Sequence, residues 1–340
     1  MMRHGVKQSF ELNLTRSLMK PYFSLLLPCL ALAACQPNQV ASVNSSVTQL
    51  PAYCQAADTT TITGSSEVKQ IAEGFVFLEG PVWIDSLNSF LFSEMDFNGP
   101  QDNGPRSVVH RLSLPADIEV FIDNAGSNGL ATDGKDLLAT THDDQGLTRY
   151  SLPAKDRSEV LDSYQGKQFN SPNDLAISTT GHIYFSDPDW QLGKRENQTG
   201  MTGVYHVNPH GEVTLVDATL DKPNGVTLSP DQGFLYVGDV DGNIGRYAID
   251  AQGNTGERQE FAKVDGPDGM GMDCAGNLYA TSHAAGKLYV ISPQGEQLAV
   301  IDVAPQLTNV AFGGPDHKTI LLTAGGKLFS IDSPIAGFPY

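Results

Sequence analysis

The chain has 340 residues, 40% of them hydrophobic, and a formal net charge of −18 at pH 7. A surface so acidic repels phosphate backbones and anionic headgroups, which excludes nucleic-acid binding and electrostatic membrane docking as functions. Thirty-four Gly and 20 Pro, with eleven Tyr and fifteen Phe, argue against long helices and predict many short strands separated by turns.

In chain order, Lys20 precedes an apolar stretch from Tyr22 to Ala34 that is too short to span a bilayer and suits the h-region of a signal peptide. The stretch ends in Leu32, Ala33, Ala34 and Cys35, which resemble the lipobox of bacterial lipoproteins. That resemblance implies lipidation of Cys35 as the first mature residue, after removal of a signal peptide at 1–34, with 35–66 as a flexible tether. Met19 is an alternative start to Met1, because the preceding stretch is long for an n-region. Gln36 carries no Asp-type signal for the inner membrane, so the expected address is the bacterial cell envelope. A Gram-negative host would hold the chain at the periplasmic face of the outer membrane through this lipid alone. Loss of residues 1–34 removes Arg3, Lys7, Arg16, Lys20 and Glu11, leaving 17 basic against 38 acidic residues and a net charge of −21. Such a surface attracts cations. Of the four cysteines only Cys54 and Cys274 then remain unassigned, and an oxidising envelope would allow them to pair. Nothing in the sequence specifies an oligomer.

Beyond the tether, six segments share one grammar: a polar residue, a small or turn residue, a short strand, a Gly- or Asp-bearing turn and a second apolar strand. They begin near Leu78, Gly126, Ser171, Lys222, Gly266 and Leu307. Measured at the polar residue (79, 128, 173, 224, 268, 309), the intervals are 49, 45, 51, 44 and 41 residues. That period matches four-stranded propeller blades, and predicts an all-β, six-bladed β-propeller over 67–340. The sixth repeat ends one strand short, whereas 67–77 supplies an unassigned strand before the first repeat. An N-terminal strand in the last blade would close the ring and leave no long edge unpaired.

The polar residue of the repeat is Glu79, Asn128, Asn173, Asn224, Asp268 and Asn309. Equivalent positions on the innermost strands of a propeller encircle its axis. One Asn-Gly or Asp-Gly pair alone reads as a turn dipeptide. Six oxygen-bearing side chains in register, without His or Cys among them, form instead the ligand set of a hard divalent cation such as calcium, or magnesium. The ends of the second strands place Glu94, His142, Asp187, Asp239 and His283, with Ala324 in the sixth repeat, as a second ring around a substrate cleft. His142 and His283 are the candidate proton carriers there, since imidazole titrates near neutrality; for Asp187 and Asp239, binding of their own turn backbone is the competing role.

The stretches beginning at Leu78, Phe169, Lys222 and Gly266 together resemble the gluconolactonase and senescence-marker-protein family, also called the luciferin-regenerating family, from about Glu67 to Tyr340. The resemblance implies a six-bladed propeller with one divalent ion, commonly calcium, with magnesium or zinc as alternatives. Its ligands would be Glu79, Asn173, Asn224 and Asp268. It also implies hydrolysis of small lactones, with Asp268 as the catalytic base or nucleophile. The expected substrate-binding residues are Asn128, His142, Asn173, His283 and Asn309. Cleavage of organophosphates or other esters, as in more distant relatives, and a non-catalytic ligand- or partner-binding propeller are the alternatives. Two loops, 95–110 and 189–203, overhang the expected active face and carry Arg106, Lys194 and Arg195, which are candidates for an acidic substrate group or simply solvated.

Overall fold

The computed structural model describes residues 50–54 and 62–338; the signal peptide, Cys35 and most of the tether lie outside the described residues. Short β-rich segments fold into six four-stranded antiparallel sheets, whose strands run in sequence from the axis outwards. The first blade is Leu78–Ile84, Ser89–Asp96, Arg106–Ser113 and Asp117–Ile122, and the fifth is Pro267–Met272, Leu278–Ser282, Lys287–Ile291 and Gln297–Asp302. The sixth has Leu307–Gly313, Thr319–Ala324 and Lys327–Asp332, and takes its outer strand, Lys69–Glu73, from the segment that precedes the first blade. Lys69 faces Ser330 and Glu73 faces Lys327, so the expected closure is present. That strand stops at Gly74, short of Phe77, because Gly74 adopts a positive φ of 103° and turns the chain inwards. A two-stranded ribbon, Ser163–Tyr164 with Lys167–Gln168, interrupts the connection to the third blade and has no counterpart in the repeat grammar.

Burial falls from the axis outwards. Every residue of Leu78–Ile84 is buried, whereas in Asp117–Ile122 only Phe121 and Ile122 are. Six apolar clusters fill the six junctions between neighbouring blades. Val82, Leu91 and Leu130 join the first two blades, and Trp83, Phe90, Ala311 and Leu321 join the sixth to the first. Each such fully buried aliphatic or aromatic side chain contributes roughly 1.5–3 kcal/mol, so the ring is held by side chains between sheets rather than by hydrogen bonds between them.

Near the axis, hydroxyl groups add cross-blade bonds. Thr140 Oγ1 donates to the Asn173 carbonyl at 2.6 Å, Ser186 Oγ to that of Asn224 at 2.7 Å, Thr281 Oγ1 to that of Thr308 at 2.7 Å, and Thr308 Oγ1 to that of Leu78 at 2.7 Å. A disulfide joins Cys54 to Cys274 across 220 residues of sequence, tying the N-terminal segment to the fifth blade.

Candidate active site

Five of the six inner strands enter their blades through a register break at or beside the polar residue. The inner strand has one residue more than its partner over 79–82, 127–130, 223–226, 267–270 and 307–309. Such a bulge re-aims a side chain that strict alternation would send into the sheet stack. In the third blade the regular strand begins only at Leu175, and Asn173 is held ahead of it by its N–H to the Ser186 carbonyl at 2.9 Å.

The glycine that follows the polar residue in several blades has a steric purpose. A Cβ on Gly129 would lie 2.6 Å from the Asn173 carbonyl oxygen, and one on Gly225 or Gly269 would overlap the backbone of Asp268 or the side chain of Asn309. The Asn-Gly and Asp-Gly pairs therefore let adjacent inner strands approach closely enough to bring their polar side chains together.

All six polar side chains are buried. Glu79, Asn173, Asn224 and Asp268, the four expected ligands, line one cavity of about 470 Å³ together with His283 and Gln191. Asn309 does not line it: its Nδ2 donates to Glu79 Oε2 at 3.4 Å, and its Oδ1 accepts from the Val310 N–H. Asn128 also lies outside that lining, and neither of its amide atoms has a hydrogen-bond partner.

The electrostatics of the four are those of two carboxylates crowded out of water. Burial, then the negative charges of Asp268 and Asp174, hold the Glu79 carboxyl well above the usual range. Burial also raises Asp268, against the opposing influence of the neighbouring His283 and Asn224 side chains. His283 Nδ1 stands 3.3 Å from Asp268 Oδ2, and this bond raises the imidazole while burial opposes it. Asp268 Oδ1 is buried without any hydrogen-bond partner. Two carboxylates, two amides and an unpartnered carboxylate oxygen suit a hard cation that binds through oxygen. Among the described residues no three His, Cys, Asp or Glu side chains cluster as a metal-binding group, so any such site here depends on the amides.

Of the second ring, only His283 reaches the cavity. His142 is fully buried, with its Nε2 2.6 Å from the Pro105 carbonyl, and burial lowers its pKa to about 4, so it is no proton carrier near neutrality. Glu94 pairs with His110 at 2.7 Å and accepts from the Val76 N–H at 2.9 Å. Asp187 accepts from the Asn170 N–H at 2.9 Å, and Asp239 from the N–H groups of Asp221 and Lys222 at 2.9 and 2.8 Å. These two aspartates therefore fasten the loops that enter their blades. Ala324 is buried and carries no polar group.

The loop cations are also engaged. Arg106 pairs with Asp123 at 2.6 Å, Lys194 with Asp102 at 2.7 Å, and Arg195 donates to the backbone carbonyls of Leu192, Asp143 and Gln191. Asp174 is the buried acid that sequence reasoning passed over. Its carboxylate accepts from the Leu175 and Val226 N–H groups, and burial pushes it up to about 7. Its position beside Asn173, where four of the other five blades carry Gly, was the available signal.

A family model described as the SMP-30/Gluconolactonase/LRE-like region matches residues 77–326. The gluconolactonase of Zymomonas mobilis is 31% identical over 308 residues, covering 80% of this chain and 83% of its own. The 6-deoxy-6-sulfogluconolactonase of Pseudomonas putida is 36% identical over 240 residues, covering 67% and 77%. A solved structure of a gluconolactonase from Xanthomonas campestris aligns with a TM-score of 0.70 at 25% identity, over 80% of this chain and 91% of that one. With the matched region covering the first five blades and the inner half of the sixth, this chain belongs to the SMP-30/Gluconolactonase/LRE-like family.

Proposed function

We propose that the protein is a cation-dependent hydrolase of small lactones. The observation that carries this reading is Asp268: a buried carboxylate with one oxygen fixed by His283 and the other unpartnered, facing a cavity it shares with Glu79, Asn173 and Asn224. The lactonase names of its relatives support the reaction class.

Glu79, Asn173, Asn224 and Asp268 would hold the ion, and their oxygen-only donor set favours calcium or magnesium over zinc. When bound, the cation supplies electrostatic stabilisation for the negative charge that develops on the lactone carbonyl oxygen. Asp268 takes a proton from water as the water oxygen bonds to the carbonyl carbon. Breakage of the ring C–O bond then releases an alkoxide, which takes the proton back from Asp268, and the product is a hydroxy acid. His283 holds the Asp268 carboxylate in orientation through its Nδ1. Asn309, bonded to Glu79, holds that side chain in place.

Assay of the purified protein over aldonolactones and alkyl lactones, with calcium and with chelator, tests the reading. Turnover lost to chelator and restored by calcium is expected; no turnover of any lactone by folded, calcium-replete protein overturns it.

The same reading places the protein at the envelope through lipid on Cys35. The disulfide between Cys54 and Cys274 supports export, because such bonds persist in oxidising compartments. Cys35→Ser is expected to release the protein from membranes, and continued membrane association would refute a lipid-only anchor.

A further inference from the structure

We propose that the cavity selects lactones carrying an apolar substituent rather than polyhydroxylated or anionic ones. The inference rests on the lactonase reading and concerns what the walls of that site recognise. Apart from Gln191, the polar lining is the buried set of Glu79, Asn173, Asn224 and Asp268, with His283 beside Asp268. The apolar walls include Phe77, Phe97, Trp190, Val240 and Ala284.

Phe77 and Phe97 pack edge to face at 5.6 Å, making one rigid aromatic side. Phe97 and Trp190 are each 38% exposed and Val240 42%, so their unburied faces are available to cover a ligand. Phe97 lies just beyond the second strand of the first blade, and Trp190 lies in the loop after the second strand of the third. These are the two overhanging loops.

Hydroxyl-rich substrates find few partners on such walls. Gln191 is the one wall side chain with an amide, and its Oε1 is buried. Asn128 and Asn309, the amides expected to bind sugar hydroxyls, do not line the cavity. Hydroxyls packed against Phe97 or Trp190 would lose water without replacement, which costs affinity.

Anionic substituents fare no better. No Lys or Arg is among the described residues lining the cavity. Lys222, beside the wall at Trp190, sits 5.8 Å over that ring and is already paired with Asp189 at 2.7 Å. An alkyl chain or aryl ring attached to the lactone, by contrast, gains about fourfold in affinity for each methylene fully buried. With the walls half open, an alkyl chain of four carbons is expected to gain on the order of tenfold.

The test compares kcat/KM of the calcium-replete full-length protein for δ-valerolactone, δ-nonalactone and glucono-δ-lactone. A preference of about tenfold or more for δ-nonalactone over δ-valerolactone is expected, with glucono-δ-lactone no better than δ-valerolactone. Trp190→Ala should raise KM for δ-nonalactone several-fold, and by more than it raises KM for δ-valerolactone. Glucono-δ-lactone as the best substrate would overturn the inference and leave the lactonase reading intact.

A binding measurement reads the walls independently of turnover. Trp83, the only other tryptophan, is buried in the junction of the sixth and first blades, so quenching of intrinsic fluorescence by the non-hydrolysed lactam of δ-nonalactone reports on Trp190. Quenching that disappears in Trp190→Phe is expected. Absence of quenching by the lactam at concentrations that saturate turnover of δ-nonalactone, or, if nothing is hydrolysed, up to its solubility, overturns the proposal. Quenching without any hydrolysis would sink the lactonase reading alone.

Discussion

Asp268→Asn separates the stability of the site from its activity. In the absence of a cation, Asp268 and Glu79 are two buried carboxylates that raise each other's cost of ionisation. The charge of Asp268 opposes ionisation of Glu79, and removing that buried charge is expected to gain on the order of 1 kcal/mol, an ordinary size for a single substitution. The Asn side chain can still accept from His283 through its amide oxygen, so the packing is kept. For a domain of this size that gain corresponds to a rise of a few degrees in Tm. A carboxyl whose folded pKa is raised is stabilising while protonated and costs stability as it ionises. The advantage of the variant in chelator should therefore be absent below about pH 4 and grow as pH rises above the ordinary glutamate value of 4.5. Millimolar calcium should reverse the order, because the wild type gains binding free energy that the variant has largely lost. Turnover should fall by about 10²–10⁴-fold, the usual contribution of a positioned base. The assays are calorimetric melting with and without calcium and lactone hydrolysis on the same samples. A variant less stable than wild type in chelator at pH 8, or one that retains turnover, refutes the reasoning.

Gly129→Ala places a Cβ 2.6 Å from the Asn173 carbonyl, and the strain of moving adjacent inner strands apart is expected to cost about 1–3 kcal/mol in denaturant unfolding; an unchanged midpoint would contradict the close approach. Cys54→Ser should destabilise by about 2–5 kcal/mol, and adding Cys274→Ser should cost little more, because one bond spanning 220 residues is lost either way; additive losses would mean that the cysteines act separately. Burial raises Asp187 from the ordinary 3.8 to about 8, against the bonds from Asn170 and Ser171. Stability should thus decline between about pH 4 and pH 8, and Asp187→Asn should flatten that slope; an unaltered slope assigns it to other groups.

The ring was legible because its cause is repetitive. A blade cannot bury its faces alone, so each repeat carries the same apolar pattern, and the strand missing from the sixth repeat was visible at the other end of the chain. The axial oxygens were legible for the same reason, six times over, down to the convergence of Glu79, Asn173, Asn224 and Asp268 on one cavity. The second ring was not. Glu94, His142, Asp187 and Asp239 lie at strand ends where a shift of one residue changes the face of the sheet, and register breaks occur beside several of them. Their direction is set by loops: the Pro105 carbonyl captures His142, and backbone N–H groups capture both aspartates. Loop conformation likewise decided that Phe97 and Trp190, rather than Arg106 or Lys194, furnish the walls.

Calorimetric titration of calcium into chelator-stripped protein, wild type beside Glu79→Gln, tests the central claim most directly, since it asks whether the axial oxygens form an ion site at all. The account predicts one site per chain in the wild type and at least tenfold weaker binding when Glu79 loses its charge. No binding to folded wild type by calcium or magnesium, or an affinity that Glu79→Gln leaves unchanged, would contradict it.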